Sequence, residues 1–243
     1  MTMTRPRNIQ PEVELVIDGD RSSLPLSSMA ASQLRACTPV RTFRWHRGQR
    51  HFPGWYWSAT DRRHVMYESR LELGRLVLAD FDPTVCSIRS QPFRLTFTDR
   101  EGRLRRHVPD FALLTDRGGI RIVNVKPRAR LLDDKVRTAL EDAHAALGTA
   151  GLATEMWSGE DPVAHSTIAF LSAYRNSSLF DEAELGRARK VLRGRMCVVE
   201  AERLLLDAGI TQPRPIVLHL LWTHMLRMDL TRPLEPDTVL EAA

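Results

Sequence analysis

The stretch HVPDFALLTDRGGIRIVNVK, running from His107 to Lys126, decides how this chain folds. Two apolar runs, 111–114 and 120–125, flank Thr115-Asp116-Arg117-Gly118-Gly119, the polar and glycine-rich signal of a turn between strands. The expectation is an antiparallel hairpin. With Leu114 opposite Ile120, Asp110 falls opposite Asn124, their Cβ atoms roughly 5 Å apart. Lys126 lies two residues beyond Asn124, and the period of 2 of a strand puts both on one face. An acid, an amide and an amine then share a surface on condition of that register, because a one-residue slip would turn them inward.

Pro109-Asp110 followed by Asn124-Val125-Lys126 resembles the PD…(D/E/x)xK core of restriction-endonuclease-like nucleases. Phosphodiester cleavage by this chemistry uses a hard cation held by carboxylate oxygen, and Mg²⁺ takes few protein ligands beside water and phosphate. The cation activates water and offsets charge on the phosphate, with a lysine beside it. The chain holds 32 arginines but three lysines, Lys126, Lys135 and Lys190. A lysine at 126 is therefore an uncommon choice of cation for this sequence.

The length, 243 residues, suits one large domain or two small ones, and 43% apolar residues are enough for a core. A net charge of +5 favours a polyanionic partner. Cys37, Cys86 and Cys197 are far apart and lack a CxxC, which reads as free thiols and excludes a disulfide framework or zinc site. No run of about 18 apolar residues and no signal-peptide core appears, so a soluble, cytoplasmic chain with no membrane partner is expected.

Taken in order, residues 1–40 read as a loosely structured segment with one short strand at 13–17. In residues 41–60, arginines interleave with Phe43, Trp45, Phe52, Trp55, Tyr56 and Trp57. Two readings stay open there: a nucleic-acid contact using Arg44, Arg47 and Arg50, or a hairpin whose aromatics are core. Over 64–80, Tyr67, Leu71 and Leu78 fall at helical spacing, with Glu68, Glu72 and Arg75 on another face. Phe81-Asp82-Pro83 ends that helix. Strands are expected at 85–89 and 93–97, a turn at 99–102, and a basic lead-in at 103–106 whose Arg105 and Arg106 are further DNA-contact candidates. An amphipathic helix over 132–147 buries Val136, Ala139, Leu140, Ala143 and Leu147, and a strand follows at 153–157. These elements compose an α/β domain at 41–175.

From 176 the composition changes, with helices expected at 181–192, 197–208 and 215–227, and short strands at 228–230 and 239–240. Three helices and a ribbon fit a winged-helix-like C-terminal domain at 176–243, which can read DNA or bind protein, or a plain helical cap.

Together, Tyr67-Glu68-Ser69-Arg70-Leu71-Glu72, Phe81-Asp82-Pro83, Gln91-Pro92, Pro109-Asp110-Phe111 and Val123-Asn124-Val125-Lys126 resemble the TnsA-like endonuclease subunits of heteromeric bacterial transposases. The resemblance implies a restriction-endonuclease-like mixed sheet flanked by helices and cleavage of double-stranded DNA at the 5′ ends of a transposon, with Mg²⁺ as cofactor and Mn²⁺ as substitute. It also implies an integrase-type transposase partner and an AAA+ ATPase regulator. By position, Glu72 and Asp110 match the metal-binding carboxylates and Lys126 the catalytic lysine, with Glu68 the second candidate for the helical acid. Asn124 stands where an acid or glutamine is usual and offers only a neutral oxygen, so its expected catalytic part is to orient a ligand or the attacking water with its amide. That departure keeps open a catalytically weak or inactive DNA- or protein-binding assembly subunit, and a stand-alone restriction or repair nuclease is a third reading.

Overall fold

The structure, a computed structural model, describes residues 9–41 and 52–243. They form two compact units, one of the described residues up to Ala79 with Thr84–Gly159, the other of Asp80–Pro83 with Glu160–Ala243. Their elements in chain order begin with β1 (Glu12–Ile17), β2 (Asp20–Pro25), α1 (Ala31–Ala36), β3 (Gly54–Ser58), β4 (Arg63–Tyr67) and α2 (Arg70–Phe81). Then come β5 (Val85–Ser90), β6 (Arg94–Thr98), β7 (Leu104–His107), β8 (Phe111–Thr115), β9 (Ile120–Val125), α3 (Arg128–Leu131), α4 (Asp134–Gly148) and β10 (Ala153–Trp157).

The first unit holds a sheet of order β2-β1-β6-β7, a second of order β10-β9-β8-β5, and the separate hairpin β3-β4. The second sheet is mixed, since β10 runs parallel to β9 while β9, β8 and β5 are antiparallel. Val13, Leu15, Leu95 and Phe97 of one sheet share a buried cluster with Ala112, Leu114 and Ile122 of the other, and Ala143, Ala146 and Leu147 of α4 complete it. Residues 111–114 and 122–125 are buried without alternation, as expected of strands covered on both faces. The turn closes through Thr115 N–H to Gly119 O at 2.9 Å, with Gly118 at φ +77, a region that favours glycine. It sets Leu114 opposite Ile120, the register on which the shared polar face depends.

In the first unit three expectations change. Residues 9–41 are ordered, because the polar strand β2 pairs along its length with β1, and β1 pairs in turn with β6. The helix expected from 64 begins at Arg70, since residues 63–67 pair with β3 in the register Gly54↔Tyr67. Tyr67 lies so close over Gly54 that a Cβ there would meet its Oη at 2.5 Å. Ser69 Oγ accepts the Glu72 N–H at 3.1 Å and donates to Glu72 Oε1 at 3.2 Å, which caps α2 and fixes its start. The buried face of α4 is Leu140, Ala143, Ala146 and Leu147, whereas Ala139 is exposed and Val136 half-buried.

The second unit contains α5 (Pro162–Leu171), α6 (Glu182–Val191), β11 (Arg195–Cys197), α7 (Val198–Asp207), α8 (Pro213–Trp222), β12 (Leu226–Arg227) and β13 (Val239–Ala242). Asp161 and Asp181 cap α5 and α6 by accepting backbone N–H groups of the first turns. The antiparallel sheet has order β11-β13-β12. This unit begins at 160, ahead of the boundary expected at 176, because Tyr174 O is bonded to buried His219 Nδ1 at 2.7 Å and so belongs with α8. The helix expected over 215–227 stops at Trp222, where His224 at φ +58 reverses the chain into β12. Among the described residues no helix is long and apolar enough to cross a membrane.

Cys37 is 1% exposed, and burial pushes its thiol up to about 11 from an ordinary 9.0. The thiolate is then roughly 100-fold scarcer at pH 8 than for a free cysteine, so iodoacetamide should spare Cys37 in the native chain and modify it only in denaturant. Mass mapping of the alkylated peptides checks this, and native labelling of Cys37 at the rate of half-buried Cys197 would contradict it.

Candidate active site

The hairpin register carries past the ends of its strands. Asp110 N–H donates to Val123 O at 3.1 Å, which draws the Asp110 side chain alongside the end of β9. There Asp110 Oδ2 accepts from the Val125 N–H at 2.6 Å and from Lys126 Nζ at 3.3 Å. Lys126 Nζ also donates to Val125 O at 2.9 Å, and the Lys126 N–H is held by Trp157 O at 2.9 Å in continuation of the β9–β10 pairing. The Asp110 side chain is 8% exposed and that of Lys126 33%. Burying a carboxylate to this degree is costly unless it is paired and hydrogen-bonded, as Asp110 is.

Glu72 enters from the first turn of α2, where its Oε2 also accepts the Glu68 N–H at 2.7 Å. Burial, then the negative charge of Asp110, lifts its carboxyl to about 7 from an ordinary 4.5. Two carboxylates are thus gathered where one raises the affinity of the other for a proton or another cation. Among the described residues no group of three or more His, Cys, Asp and Glu forms a metal cluster. Two hard carboxylate oxygens with open valence fit Mg²⁺ or Mn²⁺, which bind through one or two carboxylates plus water and phosphate, better than they fit zinc. Glu68, the second candidate, is instead paired with Arg41 at 2.8 Å and accepts from Gln91 Nε2 at 2.7 Å.

Asn124 is fully buried, and its amide is committed elsewhere. Its Oδ1 meets His107 Nε2 at 2.7 Å, and its Nδ2 meets His144 Nε2 of α4 at 2.9 Å. The expectation of an amide directed at the nucleophile is therefore corrected: Asn124 joins two histidines across the packed face of the sheet. Sequence reasoning passed over both histidines. His107 opens the quoted stretch at a helpful spacing, but His144 is brought there by α4 packing, for which the sequence holds no local signal.

Of the expected DNA contacts, Arg44, Arg47 and Arg50 lie outside the described residues, as do Phe43 and Trp45. Arg105 donates to Asp99 at 2.8 Å, while exposed Arg106 makes no ion pair among the described residues. With His107 and Lys135 they line a cleft of about 660 Å³ between β7 and α4. On β3, Trp55 is 59% exposed and Tyr56 is core, so the two readings of that stretch divide between neighbouring residues.

Burial lowers the pKa of His107 and, separately, of His144, which favours the neutral form of both rings. Asn124 Oδ1 can only accept and Nδ2 only donate, which requires a proton on His107 Nε2 and a lone pair on His144 Nε2. Long-range ¹H–¹⁵N spectra at pH 6.5 should show the Nε2–H form for His107 and the Nδ1–H form for His144. Two imidazolium patterns would contradict this network.

Residues 82–149 match the family described as TnsA-like endonuclease N terminal. The match includes His107, Asp110, Asn124, Lys126 and His144, while Glu68 and Glu72 precede it. No curated protein matches the chain. Over residues 82–149, then, the chain is similar to TnsA-like endonuclease N-terminal domains, and the aspartate, the lysine and the asparagine between two histidines all lie within that stretch.

Proposed function

We propose that this chain is a divalent-metal-dependent DNA endonuclease that cuts the 5′ ends of a transposon beside an integrase-type transposase, with an AAA+ ATPase as regulator. The observation that carries the reading is Asp110 held between the Val125 N–H and Lys126 while its charge lifts the Glu72 carboxyl. Glu72 and Asp110 would hold Mg²⁺ or Mn²⁺. The cation supplies Lewis acidity toward water and neutralises charge on the phosphate. Lys126 has three N–H donors, of which Asp110 Oδ2 and Val125 O occupy two. The third, on a one-third-exposed side chain, is left for a phosphate oxygen or the attacking water. Asn124 fixes the His107 ring in the wall of the cleft between β7 and α4, where Arg106 and Lys135 would meet the DNA backbone.

From α6 onward the second unit supports a winged-helix reading by its order of helix, strand, two helices and two strands, with β13 central in the sheet. Residues 216–222 of α8 are all buried, which leaves that helix no face for a major groove and favours a protein partner over base reading. A catalytically weak assembly subunit is the second reading, favoured by the neutral and fully engaged Asn124.

The test is nicking of transposon-end DNA by the chain with its partner transposase, in Mg²⁺ and in Mn²⁺. Asp110→Ala and Lys126→Ala should each lose about 100-fold or more of the rate while still binding DNA. Wild-type cleavage by Asp110→Ala would overturn the assignment, and no cleavage by an assembled wild-type complex in either metal would favour the assembly subunit.

A further inference from the structure

We propose that Gln91 supplies the neutral oxygen of the cation site through its Oε1, the part that Asn124 is no longer free to play. The inference rests on the metal-dependent reading above and adds a residue to it. Gln91 lies in the link between β5 and β6, 3% exposed, and is bonded to both arms of the site. Its main-chain N–H donates to Asp110 O at 2.9 Å. Its Nε2 donates to Glu68 Oε1 at 2.7 Å, and the Glu68 N–H is in turn held by Glu72 Oε2.

The orientation of the amide follows from chemistry, because an ionised carboxylate only accepts and the NH₂ group must face Glu68. Oε1 is then the end left over, and it is a buried side-chain oxygen with no hydrogen-bond partner among the described residues. An orphaned buried acceptor is costly and uncommon, and one tied to two carboxylate-bearing segments is suited to a cation or its water. The backbone agrees. Gln91 holds φ +44, a conformation disfavoured for a residue with a side chain and further restricted by Pro92 after it. Glycine would relieve this strain, so the side chain is kept for what its amide binds, and Nε2 has Glu68 while Oε1 has no partner among the described residues.

Asn124 offers the contrast. Both ends of its amide are satisfied by His107 and His144, which leaves Glu72 and Asp110 short of a neutral donor. Gln91 Oε1 makes up that donor without adding a fourth acidic group beside Glu68, Glu72 and Asp110.

The experiment titrates Mn²⁺ into the full chain and follows the paramagnetic resonance signal of the free ion, with thermal unfolding of each metal-free variant alongside. Gln91→Gly, which accepts φ +44 freely, should keep or raise the melting temperature and weaken Mn²⁺ binding by about tenfold or more. Gln91→Glu, which keeps an oxygen but loses the donor to Glu68, should bind Mn²⁺ more tightly than Gln91→Gly. Wild-type affinity in Gln91→Gly, alongside loss of binding in Asp110→Ala, would overturn this inference alone. Equal binding by wild type, Gln91→Gly and Asp110→Ala would overturn the metal reading and this inference with it.

Discussion

Asp110 Oδ2 receives the Val125 N–H at 2.6 Å, and this bond joins the start of one central strand to the end of the next. It forms only in the register that pairs Leu114 with Ile120. A slip by one residue would exchange the faces of β8 and β9, whose residues 111–114 and 122–125 are buried on both sides, and would strand a charged carboxylate in the core. The same register sets Lys126 against Asp110 and Asn124 against the α4 histidine. Fold and site are therefore specified by one alignment of two strands, closed by a turn that requires a glycine at φ +77.

The two sides of Asp110 differ in their electrostatics. Toward β9 its charge is balanced by a backbone dipole and by the Lys126 ammonium. Toward α2 its charge acts on Glu72, whose carboxyl is raised to about 7 by burial and by Asp110 itself. A fold built only for stability would place a cation or an apolar group there. The capping geometry of Ser69 instead locks Glu72 in position at the first turn of the helix. Such a pairing of like charges at a rigid position is a mark of functional sites, because ligand binding relieves it.

The legible part of the sequence was local. The glycine-rich turn and the period of 2 gave the hairpin, and they put Asp110 and Lys126 on one face before any packing was known. The Ser-x-x-Glu spacing at Ser69 and Glu72 was a start signal for α2, yet Tyr67, Leu71 and Leu78 continued the helical period backwards and hid the strand β4, which exists through its pairing with β3. Strand β2, DRSSLP, is largely exposed and has no apolar alternation, so nothing local distinguished it from a loop; β1 supplies its partner. The histidines around Asn124 and the glutamine beside Asp110 depend on contacts between elements 17 to 23 residues apart, which leave no local pattern. Side-chain chemistry at Asn124 was read correctly as a neutral oxygen, and only packing showed where that oxygen is spent.

The central claim is that Glu72 and Asp110 together hold a divalent cation. The most direct measurement is anomalous scattering from crystals of the chain grown with Mn²⁺. A manganese peak is expected within coordination distance of carboxylate oxygens from both Glu72 and Asp110. A well-ordered site with no manganese, or manganese bound only at residues away from this pair, would contradict it.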